Sequence, residues 1–262
     1  MPKVKSADGS AIGYETHGTG PLVIVVAGAT QYRAVDTDTP KLADILARRF
    51  TVVLYDRRGR GGSGNTEPYA VNREIEDIEA LIDALGGSAM LYGMSSGAVL
   101  ALEAAASLPR KVTRVICYEP PINTAQSKDD AFSDLAEMEA YKARGDGAGA
   151  MEAFMLSVGT PPEHVEGFKQ SPQWAAYAAV GTTIAHDFRI LAEATKTDMK
   201  ARWRGIAQPV LVVNGDQSFD FMAAAADTAA ASLPSATRKT LPGQGHGPAP
   251  DSVAPVIIEF FS

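Results

Sequence analysis

Short β-branched runs that alternate with helical segments are the feature that most constrains the fold of this chain. Five such runs, each bounded by Gly, Pro or Asp, lie at 21–28, 50–56, 88–93, 112–119 and 209–215. Their continuous apolar character is typical of strands that are buried on both faces, as in a parallel sheet. The first four runs are separated by helical patterns at 39–49, 72–87 and 96–109. The alternation predicts βαβ units and an α/β fold with a mostly parallel, doubly wound sheet.

The remaining segments have different patterns. Two short runs at the front, "KVKSADG" and "SAIGYETHG", predict an antiparallel hairpin at the sheet edge. Between about 130 and 200 no convincing strand occurs, and Gly and Pro divide an Ala-, Glu-, Lys- and Met-rich sequence into short helices. After Pro209 the alternation of strands and helices resumes. We therefore predict a core at 1–122 and 203–262, with a helical lid inserted at 123–202.

The composition and the residue spacing argue against nucleic-acid binding, membrane insertion, disulfide bonds and a metal site. A net charge of −7 with scattered basic residues argues against nucleic-acid binding. The polar first ten residues do not form a signal peptide, and the longest apolar runs are too short to cross a bilayer, so we expect a cytoplasmic protein that binds no membrane. The single cysteine, Cys117, rules out an internal disulfide, and no His, Asp or Glu cluster has metal-ligand spacing. We therefore expect no metal and no cofactor.

The chemically most informative stretch is "LYGMSSGAVL", at 91–100. Its segment from Gly93 to Gly97 fits G-x-S-x-G, with a predicted strand before it and a predicted helix after it. In so tight a turn, the residues two positions before and after the serine must be very small. A serine at the start of a helix also lies where backbone N–H groups can stabilise an oxyanion. We predict Ser95 as a nucleophile and Ser96 as a donor of its backbone N–H.

With this serine motif, the chain resembles the α/β-hydrolase superfamily, and the resemblance extends over nearly its whole length. Besides "GMSSG", the segment "DRRGRGGS" at 56–63 matches the D-x-R-G-x-G-x-S segment that follows the fourth strand in many members. The helical insertion and the late "GQGHG" also have the positions that the superfamily shows. The resemblance is greatest to the small bacterial serine esterase, lactonase and cofactor-free haloperoxidase-like branch. It implies an α/β-hydrolase fold and a site built from serine, histidine and a carboxylate.

The base is expected to be a histidine on the loop after the last strand, and four histidines compete for this role: His17, His164, His186 and His246. His246 lies in the Gly- and Pro-rich loop "LPGQGHGPAP", near the sheet edge where the serine is exposed. His17 precedes the run at 21–28 and lies at the opposite edge. The other two histidines fall in the predicted lid, where they are more often packing or surface residues. We predict His246 as the base.

The carboxylate is where this sequence departs from the family pattern. Most members carry it three residues past the glycine of the late strand, where this chain has Ser218. Some haloalkane dehalogenases instead place the acid after the preceding strand, and Glu119 ends that strand here. A carboxylate at that edge can reach the loop that carries His246 and fix its tautomer. We favour Glu119, with Asp216 as the alternative acid and a site without an acid as the remaining possibility.

Two backbone N–H groups are predicted to form the oxyanion hole. One belongs to Ser96, and the other to the residue after the glycine that follows the first long strand. Members usually read His-Gly there, whereas this chain reads Ala27-Gly28-Ala29. Ala29 is therefore the predicted second donor, because losing a neighbouring histidine does not remove a backbone N–H.

Together these residues predict a serine hydrolase that cleaves a small carboxylic ester, lactone or thioester through an acyl-serine. Apolar side chains in the predicted lid indicate a largely apolar acyl or alcohol group in the small-molecule substrate: Met151, Phe154, Met155, Trp174, Tyr177 and Phe188. The same fold also hosts cofactor-free lyases, cyclases and oxygenases and small-molecule binding proteins, and these alternatives stay open. The sequence does not indicate the oligomeric state.

A dinucleotide-binding function is a weaker alternative. Gly59, Gly61 and Gly64 formally satisfy G-x-G-x-x-G. That fingerprint, however, turns directly from a strand into a helix. Here residues 56–58 intervene, and the next helix is predicted to begin only at about Val71, so the context argues against a nicotinamide cofactor.

Overall fold

The structure is a computed structural model that describes residues 2–195 and 198–262. Within these ranges eight strands form one sheet: β1 (Lys3–Lys5), β2 (Ala11–His17), β3 (Leu22–Val26), β4 (Thr51–Tyr55), β5 (Ala89–Met94), β6 (Val112–Tyr118), β7 (Val210–Gly215) and β8 (Ala236–Leu241). Their order is β1-β2-β4-β3-β5-β6-β7-β8. The β1–β2 and β2–β4 pairs are antiparallel, and all later neighbours are parallel. Met1 of the predicted core and residues 196–197 of the predicted lid lie outside the described residues.

The helices of the described chain lie between and beyond these strands. Their bounds are α1 (Asp38–Leu46), α2 (Val71–Leu85), α3 (Ser96–Ser107), α4 (Lys128–Ala143), α5 (Gly147–Ser157), α6 (Pro162–Lys169), α7 (Trp174–Val180), α8 (Ile184–Thr195), α9 (Met199–Trp203), α10 (Met222–Ala231) and α11 (Pro250–Phe261), with a 3₁₀ turn at Gly181–Thr183. Helices α1 and α11 pack against each other on one face of the sheet, and α2, α3 and α10 cover the other face.

The first long strand shows why these runs are apolar throughout. In β3, Leu22, Ile24 and Val26 belong to the core beneath α2 and α3. Val23 and Val25 belong to the core beneath α1 and α11. Because successive strand side chains point to opposite faces, a strand covered by helices on both faces must be apolar at every position. The predicted α/β fold, with its mostly parallel and doubly wound sheet, is confirmed.

The sheet places the chemically interesting loops together. The carboxyl ends of the parallel strands β3 to β8 share one edge, which is where ligands bind in open α/β sheets. Between β6 and β7 the chain forms helices α4 to α9, called the inserted helices below. They have a small apolar core of their own, and α8 packs on both α3 and α4. No helix in the described ranges combines the length and the apolar character that crossing a bilayer requires.

Candidate active site

The turn between β5 and α3 holds Ser95 in a strained conformation. Ser95 has φ 54° and ψ −127°, in a region that residues other than glycine rarely adopt. Two glycines make the turn possible. A Cβ at Gly93 would collide with the carbonyl of Gly97, and a Cβ at Gly97 would collide with the carbonyl of Val26. The small residues of the G-x-S-x-G pattern are therefore required by close backbone contacts on both sides of the serine.

The two adjacent serines have different surroundings. Ser95 is partly exposed, and within the described ranges its hydroxyl makes no hydrogen bond. Ser96 is buried, and its Oγ donates a hydrogen bond to Asp187 Oδ1 at 2.7 Å. Only the first hydroxyl is therefore free to meet a substrate, since the second is occupied by a buried carboxylate.

A carboxylate and an imidazole meet beside this turn. The distance from His246 Nδ1 to Glu119 Oε2 is 2.6 Å, and Glu119 is 0% exposed while the His246 side chain is 36% exposed. Glu119 directly follows β6 with φ 49°, so backbone strain also marks this position. Its carboxylate accepts two further hydrogen bonds, from Gly215 N–H at 2.8 Å and from Ser218 Oγ at 2.7 Å. The carboxylate is thus fixed on both oxygens and presents one of them to the ring.

Tyr118 links the nucleophile turn to the histidine loop. The backbone N–H of Ser95 donates to the Tyr118 carbonyl at 2.9 Å, and the Tyr118 hydroxyl donates to the Gly245 carbonyl at 2.6 Å. Among the described residues no hydrogen bond joins Ser95 Oγ to the His246 ring. Catalytic hydrogen bonds are often long in free enzymes and tighten when a substrate binds.

The alternative acid, Asp216, lies on the loop after β7. It is exposed, and its Oδ1 accepts a hydrogen bond from Gly243 N–H at 2.6 Å. Within the described ranges it makes no contact with His246. The structure therefore brings Glu119, rather than Asp216, to the imidazole. The usual acid position holds Ser218, whose hydroxyl supports Glu119 instead.

In the described ranges the other three histidines make no hydrogen bond to Ser95, Glu119 or His246. His17 lies at the end of β2 and contacts Asp44. His164 is exposed on α6. His186 is buried on α8, where its ring stacks on Tyr69 with centroids 3.8 Å apart. Over the described ranges, no three His, Cys, Asp or Glu side chains are grouped so that they could hold a metal ion.

The loop after β3 is held against the nucleophile. A Cβ at Gly28 would lie 3.1 Å from both the Met94 carbonyl oxygen and Ser95 Cβ, so the loop passes close to the serine turn. The Gly28 N–H donates to Gln31 Oε1 at 2.8 Å. This hydrogen bond helps to fix the loop, which lacks the histidine that family members usually carry. In the part of the chain that the structure describes, the N–H groups of Ala29 and Ser96 donate to no protein acceptor. Both predicted oxyanion donors are therefore available to a ligand.

A buried ion cluster, formed by Arg57, Arg60, Glu74 and Asp187, lies behind this loop, and the sequence did not reveal it. Arg57 donates to both oxygens of Glu74 at 2.7 Å and to Asp187 at 2.5 Å. Arg60 donates to the other oxygen of Asp187 at 2.5 Å. Burial raises the pKa of Asp187, but its two arginines outweigh that effect, and the pKa stays below its ordinary value. The available signal was the arginine-rich segment at 56–63, whereas the partner carboxylate lies about 130 residues further along.

The six apolar side chains noted in the predicted lid belong to the inserted helices. All six pack within or against the small core of the inserted helices. A cavity of about 240 Å³ lies between the segment after Glu119 and helices α4 and α8. Phe188, Leu191 and Ile122 belong to its walls, but Ser95 and His246 do not. The cavity therefore adjoins the candidate site without containing it.

Comparison with known proteins agrees with the fold. The model of the alpha/beta hydrolase family matches residues 17–257, and the chain belongs to this family. An alpha/beta hydrolase from Sphaerobacter thermophilus DSM 20745 is 41% identical, with a TM-score of 0.86 over 100% of both chains. The 2-(acetamidomethylene)succinate hydrolase of Mesorhizobium japonicum is 29% identical over 87% of this chain and 82% of its own. The enol-lactonase from Burkholderia xenovorans LB400, 20% identical with a TM-score of 0.73 over 99% of each chain, shares the fold.

Proposed function

We propose that the protein is a serine hydrolase of small carboxylic esters, lactones or thioesters. Membership of the alpha/beta hydrolase family, with relatives named as hydrolases, supports the coarser statement that it hydrolyses small molecules. One observation carries the finer proposal: a buried carboxylate holds the His246 ring at 2.6 Å beside a strained serine whose hydroxyl is free. Nucleophile, base and orienting acid are the groups that acyl transfer requires.

The proposed reaction proceeds in two halves. Ser95 Oγ attacks the carbonyl carbon while His246 Nε2 takes its proton, and Glu119 stabilises the resulting imidazolium at Nδ1. The oxyanion that forms is held by the N–H groups of Ala29 and Ser96. The tetrahedral intermediate then expels the alcohol or thiol, which takes the proton from the ring. Water attacks the acyl-serine by the same route, and the carboxylic acid leaves.

The surroundings of Glu119 suit this role. Apart from the His246 ring, its hydrogen-bond donors are neutral, the Gly215 N–H and the Ser218 hydroxyl, and no permanent cation contacts it in the described ranges. The charge that forms on the imidazole during attack therefore meets an anion that no permanent cation has already neutralised. In a fully buried position this attraction is stronger than it would be in water.

We also propose that the inserted helices act as a lid that limits the site to small, largely apolar groups. Two contacts support this proposal: the Tyr32 hydroxyl from the loop after β3 donates to the Ala176 carbonyl of α7 at 3.0 Å, and Arg60 from the loop after β4 donates to Asp187 of α8. Names of relatives support the small size alone: a succinate derivative and an enol-lactone are both small molecules.

The test is turnover of a panel of short acyl esters, small lactones and thioesters, combined with intact-mass detection of an acyl adduct. We expect hydrolysis and a transient acyl mass on the wild type, and a loss of turnover by at least about 10⁴-fold in Ser95→Ala. Persistence of full turnover in Ser95→Ala would contradict the proposal. A well-folded wild type with neither turnover nor adduct would instead favour a cofactor-free lyase, cyclase or oxygenase, or a binding protein, on the same fold.

A further inference from the structure

The two oxyanion donors are connected to each other through a single buried side chain on the inserted helices. We propose that Arg60 and Asp187 are positioning residues that orient the N–H groups of Ala29 and Ser96, so that helix α8 completes the oxyanion hole. This inference rests on the proposed function, because it assigns a role within the same acyl-transfer site.

The first connection runs through one peptide group. Arg60 Nη1 donates a hydrogen bond to the Gly28 carbonyl at 2.7 Å. That carbonyl and the Ala29 N–H belong to the same planar trans peptide and point in opposite directions. Fixing the carbonyl therefore fixes the direction of the N–H. A charge-assisted bond to the carbonyl also polarises the peptide, which strengthens its N–H as a donor.

The guanidinium of Arg60 is itself fixed at every corner. Its Nη2 donates to Asp187 Oδ2 at 2.5 Å, and its Nε donates to Thr183 Oγ1 at 3.0 Å. The Thr183 hydroxyl in turn donates to the Val180 carbonyl at 2.7 Å. These acceptors all belong to the inserted helices and the turn that precedes α8. The planar fork of arginine can satisfy them together, whereas a lysine ammonium cannot.

The second connection runs through the other oxygen of the same carboxylate. Asp187 Oδ1 accepts from Ser96 Oγ at 2.7 Å and from Arg57 Nη1 at 2.5 Å. Ser96 begins α3, and its own N–H is the other predicted donor. Arg57 also donates to the Ala27 carbonyl at 3.2 Å, one peptide before Gly28. One carboxylate on α8 thus holds both sides of the oxyanion hole.

The burial of this cluster makes the arrangement rigid. Arg57, Arg60, Glu74 and Asp187 are each 1% exposed, and their two positive and two negative charges balance. In so dry an environment the ion pairs are strong, and removing one member leaves an uncompensated buried charge. The oxyanion donors are therefore held before a substrate arrives, which is the preorganisation that transition-state stabilisation needs.

The same sequence segment supplies a matched control. Arg58 is as buried as Arg60 and donates to both oxygens of Asp77, at 3.0 and 2.7 Å, as well as to Asp8. It contacts no backbone atom of residues 27–29 in the described ranges. Changing either arginine is expected to lower the stability of the fold. A loss of transition-state binding is expected only when Arg60 is changed.

The test compares Arg60→Lys with Arg58→Lys, each of which keeps the charge and loses the fork. Turnover of an ester is measured, and so are the affinities for two ketones. The serine adds to a trifluoromethyl ketone to form a hemiketal alkoxide, which occupies the oxyanion hole. The methyl ketone counterpart binds without forming this alkoxide. For Arg60→Lys we expect kcat to fall about 10- to 100-fold with KM nearly unchanged. Trifluoromethyl ketone affinity should fall by the same factor and methyl ketone affinity should stay constant. Arg58→Lys should change each value less than about twofold.

Equal losses in the two lysine variants, or an unchanged kcat in Arg60→Lys, would overturn the inference. If Arg60→Lys does not fold, Thr183→Val replaces it, since this change removes the acceptor of Arg60 Nε without altering side-chain volume. We expect Thr183→Val to lower kcat about threefold to tenfold and Thr183→Ser to restore it; no difference between these two would also overturn the inference. A wild type that neither turns over esters nor binds the trifluoromethyl ketone would instead refute the proposed function, on which the inference depends.

Discussion

Glu119 and Asp187 are two buried carboxylates on opposite sides of the same serine turn, and their partners differ in kind. Glu119 follows a core strand and faces neutral donors and the His246 ring. Asp187 lies on an inserted helix and faces two arginines and a serine hydroxyl. The charge of Asp187 is neutralised at all times, whereas that of Glu119 can respond to a charge that forms during a reaction. The difference fits the two roles that we propose, in the chemistry for Glu119 and in the geometry for Asp187.

The largest expected effect belongs to the carboxylate beside the histidine. Glu119→Gln should lower kcat/KM by about 10⁴-fold, because an amide cannot stabilise the imidazolium or fix its tautomer. Steady-state kinetics with an ester substrate measure the loss, and circular dichroism checks that the fold is intact. Asp216→Asn is the control and should change kcat/KM less than about twofold; the reverse ranking of the two variants would make Asp216 the acid.

Asp187→Asn should have a smaller effect of a different type. We expect kcat to fall about 10- to 100-fold, because both oxyanion donors lose their anchor, while the shape of the pH–activity profile stays that of the wild type. Glu119→Gln should alter that shape. Asp77→Asn, which changes an equally buried partner of Arg58, is the control for lost ion pairing. A changed profile in Asp187→Asn would mean that this carboxylate takes part in proton transfer.

Ser218→Ala tests how much the Ser218 hydroxyl contributes to holding the Glu119 carboxylate. It removes one of the two neutral hydrogen bonds that hold the carboxylate, at 2.7 Å, and leaves the Gly215 N–H in place. We expect a loss in kcat of about threefold to tenfold, in keeping with the net contribution of one ordinary hydrogen bond. Ser218→Thr retains a hydroxyl and should recover most of the activity. A kcat for Ser218→Ala equal to that of the wild type would show that Glu119 is held without this bond.

The smallest effect on activity is expected at the neighbour of Asp187. Burial lowers the pKa of His186 to about 3, against an ordinary value of about 6.5. Below about pH 6.5 the unfolded chain binds a proton that the folded protein excludes until about pH 3, so this group makes the free energy of unfolding fall as the pH drops through that range. His186→Phe should keep the stack on Tyr69 and flatten this part of the curve.

Urea unfolding at several pH values measures that change, with ester turnover recorded beside it. Neither ring nitrogen of His186 has a hydrogen-bond partner in the described ranges, so His186→Phe should stabilise the protein at neutral pH by about 1 kcal/mol. Turnover should stay within about twofold of the wild type, since the ring does not touch the oxyanion loop. An unchanged pH dependence would show that His186 does not remain neutral in the folded protein.

The sequence was informative wherever a local pattern determines the structure. The parallel sheet follows from strands that are apolar on both faces. Ser95, Glu119 and His246 could each be predicted because each follows a recognisable strand, and parallel strand ends share one edge. Such positions depend only on neighbours along the chain and on the sheet that they form.

The ion cluster could not be predicted in the same way. Arg57 and Arg60 lie in a recognisable segment, but a basic side chain does not specify which of 31 acidic residues it will meet. Asp187 reaches them only because α8 packs on α3, a contact between helices that no periodicity encodes. For the same reason the sequence could not sort residues such as Phe154 and Trp174 between packing and a pocket wall; in the structure they pack against the small core of the inserted helices.

The rate of covalent labelling by a fluorophosphonate, followed by intact mass, directly tests whether Glu119 and His246 activate Ser95. We expect one adduct on the wild type and none on Ser95→Ala, with labelling slowed by orders of magnitude in Glu119→Gln and unchanged in Asp216→Asn. Labelling of a well-folded Ser95→Ala, or equal rates in the wild type and Glu119→Gln, would contradict the claim that Glu119 and His246 activate Ser95.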